Sequence, residues 1–106
     1  MKYLVSGSGG PGFESAADAK DKLDNVVHPT FEFLIKLESE GKILGGGLPV
    51  GDRAIVFILE ASSNAEADSI IQNLPIWSLL EWQVLPLQDI SGRLEQEKAL
   101  LEKMGG

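Results

Sequence analysis

The sequence predicts an α+β fold, namely one ferredoxin-like domain over residues 1–106 with the order βαββαβ, an extra C-terminal helix, and assembly into a dimeric α+β barrel. Three observations lead to this prediction. Short β-rich runs alternate with longer segments of helical periodicity in the order of the split βαβ arrangement. The chain of 106 residues has the usual size of one domain. Its 43% hydrophobic and 24% charged residues suit a chain that buries a core.

The first part of the chain predicts a strand followed by a long helical segment. Residues 2–6 alternate as a strand does, and the glycine-rich run 8–12 ends it as a loop. Over 15–41 apolar residues recur three or four positions apart, which is close to the helical period. Pro29 lacks an amide donor, so we expect it to kink this helix or to start a second one. Gly41 is the expected helix stop.

The second part predicts two strands, a helix and a final strand. Residues 42–48 contain three consecutive glycines and predict an irregular or bulged strand. A turn at 49–52 leads into 53–60, the clearest strand of the chain because it is rich in β-branched and aromatic residues. A helix is expected over 63–72, where a serine or asparagine can cap its start. The alternation over 80–87 predicts the fourth strand.

A last amphipathic helix is expected over 90–103, packed on its own sheet or across a dimer. Its inward residues would be Leu94, Leu100, Leu101 and Met104. With two helices on one face of the sheet, the other face would expose large apolar side chains, which monomers rarely do. Pairing two sheets across a two-fold axis would cover that face and enclose a cavity. We therefore expect a homodimer or a higher oligomer.

Composition excludes several classes of function. The net charge of −7 and the scattered basic residues argue against nucleic acid and against anionic membrane surfaces as partners. The lack of cysteine removes disulfides and thiolate chemistry, and the presence of a single histidine argues against a metal site. We expect no cofactor. The apolar run at residues 3–5 is too short for a signal peptide, so a cytoplasmic location is expected.

The expected catalytic residues are His28 and Glu32. His28 is the only histidine of the chain, and histidine is the residue type that exchanges protons most readily near neutral pH. Glu32 follows one helical turn later, where it could orient the imidazole for proton transfer. The alternative is a solvent-facing His28 that caps the helix begun by Pro29.

Five residues are expected to bind a small apolar or aromatic-derived ligand. Trp77, Trp82 and Tyr3 would supply flat walls. Arg53 and Gln83 would orient a carboxylate, the arginine through its two-pronged guanidinium. The alternatives are core or interface packing for the tryptophans and simple exposure for Arg53.

The loop after the first strand also fits the dinucleotide pattern G-x-G-x-x-G, through Gly7, Gly9 and Gly12. Pro11 removes one of the amides that would cradle a phosphate, and the chain is too short for a doubly wound sheet. A plain flexible loop is the favoured interpretation.

Several segments over residues 34–87 resemble the muconolactone isomerase family, and the spacing between these segments matches that of the family without insertions or deletions. They are Glu40-Gly41, Gly51-Asp52-Arg53-Ala54, Asn73-Leu74-Pro75-Ile76-Trp77 and Val84-Leu85-Pro86-Leu87. Residues 29–41 are also similar to small proteins of the YCII type. Both resemblances imply dimeric α+β barrels of ferredoxin-like units. The chain departs from both families at one place each. Muconolactone isomerases carry basic residues in the segment that corresponds to residues 44–48, where this chain has the sequence Leu-Gly-Gly-Gly-Leu. YCII-type proteins carry a histidine at the position where this chain has Thr30.

The resemblance implies a small-molecule enzyme of the lactone-isomerase or dehydrohalogenase type. It would act on an aromatic-degradation product by cofactor-free proton transfer. The alternative is a non-catalytic ligand-binding or assembly module on the same barrel. A cofactor-free oxygenase is a third possibility.

Overall fold

The structure, a computed structural model, describes residues 1–105, and Gly106 at the end of the predicted domain lies outside the described residues. All the predicted helices and strands are present, together with two short turns of helix. The elements are, in chain order, β1 (Lys2–Ser8), α1 (Ala16–Lys22), a π turn (Leu23–Val27), α2 (His28–Ser39), β2 (Ile43–Gly47), β3 (Ile55–Glu60), α3 (Asn64–Gln72), a 3₁₀ turn (Trp77–Leu79), β4 (Glu81–Leu87) and α4 (Ile90–Lys103).

The four strands form one antiparallel sheet in the order β2-β3-β1-β4. At its centre Val5 of β1 lies opposite Phe57 of β3 and Val84 of β4. Residues opposite each other share a face of the sheet, so this row lies on the side that α2 and α3 cover. The α+β fold class with the βαββαβ order is thereby confirmed.

The core lies between the sheet and these two helices. Val5 and Leu59 are fully buried, and Leu37 of α2 and Ile71 of α3 pack against the same cluster. The glycine-rich β2 has a register shift between Ile43 and Gly45, as expected for a bulged strand.

Pro29 lies in the first turn of α2, as expected for a proline that starts a second helix, and a π turn joins α1 to α2. Proline has no amide hydrogen, so one i to i−4 bond is missing, and the N–H of His28 instead donates to the carbonyl of Leu23, five residues back. Proline then sits in the first turn of α2, where its missing donor costs little. The helix ends as predicted at Gly41, whose φ is +76°.

The face of the sheet away from α2 and α3 has no cover from any element within residues 1–105. One row across it joins Leu85, Leu4 and Ile58, and the next row joins Gln83, Ser6 and Val56. We call this surface the open sheet face. It is apolar along the first row and polar at two positions of the second.

Of the two packing partners expected for α4, its own sheet is excluded by the structure, and packing across a dimer stays a prediction. This helix has no buried residue: Leu94 is 53% exposed, and Leu100, Leu101 and Met104 are exposed as well. The molecule measures 66 Å along its long axis, and its radius of gyration of 17.8 Å exceeds the roughly 13 Å of a compact chain of this length. The helix projects away from the sheet, so its apolar stripe is not buried by any other element that the structure describes. Among residues 1–105 no helix is long and apolar enough to cross a membrane.

Candidate functional site

An apolar cavity of about 200 Å³ opens at one end of the helix-covered side of the sheet. We call it the Arg53 cavity. Leu23, Val27 and Phe31 line it from the helical segment. The opposite wall is formed by apolar residues from the start of β3 and from the segment before β4, namely Ala54, Ile55, Ile76, Leu79 and Leu80. Three ionisable residues stand at its rim: Lys22, Asp52 and Arg53.

The π turn helps to shape this cavity. Its first and last residues, Leu23 and Val27, both contribute to the wall. A π turn has more residues per turn than an α-helix, so it changes which side chains of the following helix face the sheet. Pro29 lies two residues after this turn, where its missing amide hydrogen removes one α-helical hydrogen bond.

The guanidinium of Arg53 is held at the rim by contacts that leave its charge unpaired. It lies over the ring of Phe13, 5.6 Å from the ring centroid, within the range of a cation–π interaction. The main chain of Arg53 is fixed by the N–H of Gly10, which donates to its carbonyl oxygen at 3.2 Å. No carboxylate of residues 1–105 lies within 4.0 Å of the guanidinium. This side chain is free to bind an anion.

Lys22, the second cation at the rim, is tied to α1. Its ammonium lies 3.1 Å from Asp18 Oδ2 and 3.4 Å from the carbonyl oxygen of Gly12. The N–H of Glu14 donates to the same carboxylate, and this bond together with Lys22 lowers the pKa of Asp18. Lys22 therefore supplies positive charge to the rim but has a carboxylate partner, unlike Arg53.

Thr30 connects the two walls of the cavity. Its side chain is fully buried, and its hydroxyl donates to the carbonyl oxygen of Val26 at 2.7 Å and accepts from the N–H of Ile76 at 3.1 Å. Val26 belongs to the π turn and Ile76 to the opposite wall. The hydroxyl thus fixes the distance between the two walls with both of its hydrogen-bonding capacities.

The predicted catalytic pair lies outside this cavity. His28 and Glu32 are both exposed, and neither lines the Arg53 cavity. Within one chain they face solvent from α2. Their predicted role as an acid–base pair stays a prediction, one that requires a second copy of the chain to build a pocket around them.

Of the predicted ligand-binding residues, only Arg53 lies in the cavity. Tyr3 is buried in the core, where its hydroxyl donates to Asn64 Oδ1 at 2.6 Å. Trp82 Nε1 donates to the carbonyl oxygen of Trp77 at 2.8 Å, so the tryptophans contact each other and fix the segment behind the cavity wall. Gln83 lies opposite Ser6 on the open sheet face.

Asp52 and Lys22 at the rim and the apolar wall residues of the helix were not among the residues predicted from the sequence. Asp52 could have been found, because it precedes Arg53 in the turn. The glycine-rich loop proves to be part of the site as well, since Gly10 and Pro11 line the cavity. A side chain at Gly10 would come within 2.9 Å of the Arg53 backbone, so glycine permits this close approach. No group of three or more His, Asp or Glu side chains within residues 1–105 could hold a metal ion.

Comparison with known proteins supports the fold and gives the family. The sequence profile of the muconolactone delta-isomerase family matches residues 14–91. The structure is similar to that of 5-chloro-2-hydroxyhydroquinone dehydrochlorinase from Burkholderia phenoliruptrix in complex with 2,5-dihydroxybenzoquinone, with a TM-score of 0.65, 22% identity, and coverage of 87% of this chain and 98% of that chain. It is also similar to a muconolactone isomerase, with a TM-score of 0.70, 18% identity, and coverage of 84% of this chain and 90% of that chain. No curated protein shows significant sequence similarity to the chain. The profile match covers well over half of the sequence, and the chain therefore belongs to the muconolactone delta-isomerase family.

Proposed function

We propose that this protein binds a flat, anionic ring compound in the Arg53 cavity and isomerises or dehydrohalogenates it without a cofactor. The observation that carries the proposal is the unpaired guanidinium at the rim of an apolar cavity. Membership of the muconolactone delta-isomerase family supports the reaction class. The similar dehydrochlorinase, bound to a flat quinone, supports the ligand class.

The proposed reaction is a proton transfer. Arg53 and Lys22 would hold the anionic group of the ligand, and the apolar walls would keep water from the ring. Asp52 is the carboxylate among the residues that line the cavity and would carry the proton, and its Oδ1 accepts a hydrogen bond from the N–H of Arg53 at 2.8 Å. In isomerisation the proton returns to another carbon of the ring. In dehydrohalogenation it leaves the ring together with the halide.

Two proton carriers compete in this proposal, and one pair of variants separates them. Asp52→Asn removes the carboxylate in the cavity, and His28→Ala removes the histidine on the surface of α2. General acid–base groups contribute about 10² to 10⁴ in rate. We expect Asp52→Asn to lower kcat by about that factor and His28→Ala to leave it within about twofold of wild type. The reverse pattern would assign the chemistry to His28 and Glu32 in an assembled pocket.

The binding experiment is a thermal-shift screen against carboxylated lactones, catechols, quinones and flat aromatic acids. A ligand at about one hundred times its Kd should stabilise the fold by roughly 2.7 kcal/mol. We expect Arg53→Met to weaken binding about 10- to 100-fold, because a hydrogen bond to a charged group contributes about 1.5–3 kcal/mol. Arg93→Met is the matched control, since Arg93 lies on α4 and pairs with Glu97. Equal losses in both variants would contradict the proposed anion site.

A second candidate function is binding without turnover. The observation that favours it is that the only histidine lies outside the cavity. Under this alternative the same acids would bind, and Arg53→Met would weaken their binding. No ring compound of the panel would be converted to a product.

We also propose that the chain works as a homodimer, and we keep the cytoplasmic location as part of the proposal. Two apolar surfaces lack a partner within residues 1–105: the stripe of α4 and the open sheet face. An isolated helix of 14 residues is marginal in water, so α4 needs a packing partner to stay folded. In a homodimer, a second copy of the chain would cover both of these apolar surfaces.

A further inference from the structure

A second apolar cavity, of about 300 Å³, adjoins the Arg53 cavity. We call it the Gly46 cavity, because Gly46 and Gly47 of β2 form part of its wall. Its other walls come from α2, including Leu34 and Ile35, and from β3. The two cavities share three wall residues, Phe31, Leu48 and Ile55. A ligand that fills one cavity therefore lies next to the space of the other.

Two glycines of β2, Gly46 and Gly47, add no side chain to the wall of the Gly46 cavity. Gly46 has a φ of +138°, and a Cβ there would come within 2.6 Å of the Cα of Phe57, so no other residue fits without strain. A Cβ at Gly47 would meet nothing within 4 Å, so a larger residue there would project into open space. At these two positions β2 therefore presents main chain and no side chain to the cavity.

Charge is arranged unevenly over the two cavities. The Arg53 cavity has two cations at its rim, Lys22 and Arg53. The Gly46 cavity has one ionisable residue, the exposed Glu38, which would repel an anion. An acid that spans both cavities has one favourable orientation, with its carboxylate at Arg53 and its uncharged end toward Gly46.

We propose that the two cavities form one site for an aromatic acid with an extended apolar tail. The anionic ring lies in the Arg53 cavity, and the tail passes Phe31 and Leu48 into the Gly46 cavity. This inference deepens the proposed function and rests on it for the position of the ring. It adds that the preferred ligand is larger than a bare ring and is selected by its tail.

The experiment is a calorimetric titration of the full-length protein with benzoate and with para-alkylbenzoates from methyl to hexyl. Each methylene that enters the Gly46 cavity should tighten binding by up to about fourfold. The variant Ile35→Glu places a charge on the wall of that cavity at a position 65% exposed, so the fold should tolerate it. Ser39→Glu adds the same charge to the last turn of α2, at a residue that lines neither cavity.

We expect wild type and Ser39→Glu to show the rise in affinity with tail length, and Ile35→Glu to show little or none while binding benzoate normally. Affinity that is independent of tail length in wild type would overturn the tail site and leave the ring site intact. If the affinity of Ile35→Glu rises with tail length as much as that of wild type, the tail binds elsewhere, and the proposed tail site is also overturned. No binding by any member of the series would refute both the tail site and the proposed anion site.

Discussion

Replacing Thr30 by valine tests whether the hydroxyl that joins the two cavity walls stabilises the fold. Valine has nearly the same shape as threonine, so Thr30→Val keeps the packing and removes only the hydroxyl. The N–H of Ile76 would lose the bond it donates to that hydroxyl, whereas the carbonyl of Val26 keeps its place in the helix. The change therefore leaves one partly buried donor unsatisfied.

The size of the effect follows from that donor. An unsatisfied buried N–H costs about 1–3 kcal/mol. For a domain of this length, 1 kcal/mol corresponds to a change in Tm of roughly 4–8 °C. We expect Thr30→Val to lower the free energy of unfolding by about 2 kcal/mol and Tm by roughly 10 °C in calorimetry. The amide of Ile76 should also exchange its hydrogen faster than in wild type.

Thr30→Ser is the matched control because it keeps the hydroxyl and loses a buried methyl group, at a cost of about 1 kcal/mol. If the hydroxyl connects the walls, serine preserves slow exchange at Ile76 and valine does not. A valine variant as stable as wild type, or more stable than the serine variant, would refute the reasoning.

Three further predictions concern other parts of the chain. Gly46→Ala should destabilise the fold by about 2 kcal/mol or more in chemical denaturation, because of its positive φ and the close Phe57 backbone, whereas Gly47→Ala should be nearly neutral. The hydroxyl and the N–H of Ser62 both donate to the carboxylate of Glu66 and lower its pKa in the folded state. The ionised carboxylate therefore stabilises the fold at pH values above its ordinary pKa of 4.5. This stabilisation is lost as the pH falls through the lowered pKa of the folded state. Wild type should therefore exceed Glu66→Gln in Tm at pH 7, and the difference should vanish in strong acid. Leu94→Glu should reduce the mass in light scattering from that of a dimer to that of a monomer, and an unchanged mass would argue against α4 as the interface.

The elements of the fold were predictable because each has a strong local signal. The strand at β3 follows from β-branched residues, the end of α2 from a glycine, and the bulge in β2 from three glycines in a row. The π turn was not predictable in the same way. A proline in a helical pattern permits a kink, a break or a π turn, and the choice depends on tertiary contacts such as the hydrogen bond that the N–H of Ile76 donates to the Thr30 hydroxyl.

Of the residues that line the candidate site, only Arg53 was predicted as a ligand-binding residue, although the neighbouring Asp52 could have been predicted with it. A rare residue type such as the single histidine draws attention in the sequence, but its position relative to a cavity depends on which side of α2 faces the sheet. The cavity walls are ordinary apolar residues, and nothing in their type separates Leu23 or Val27 from core residues. The packing of α4 also could not be predicted, because an amphipathic stripe indicates burial without naming the surface that buries it.

The most direct test of the central claim is to locate the bound ring. Nitrogen–proton correlation spectra would be recorded during a titration with para-methylbenzoate. We expect the largest shift changes at the amides of Gly10, Phe13 and Arg53 and over residues 76–80, all around the Arg53 cavity. Changes confined to the open sheet face, at residues such as Ser6 and Gln83, or no changes at saturating ligand, would contradict the claim that this cavity is the functional site.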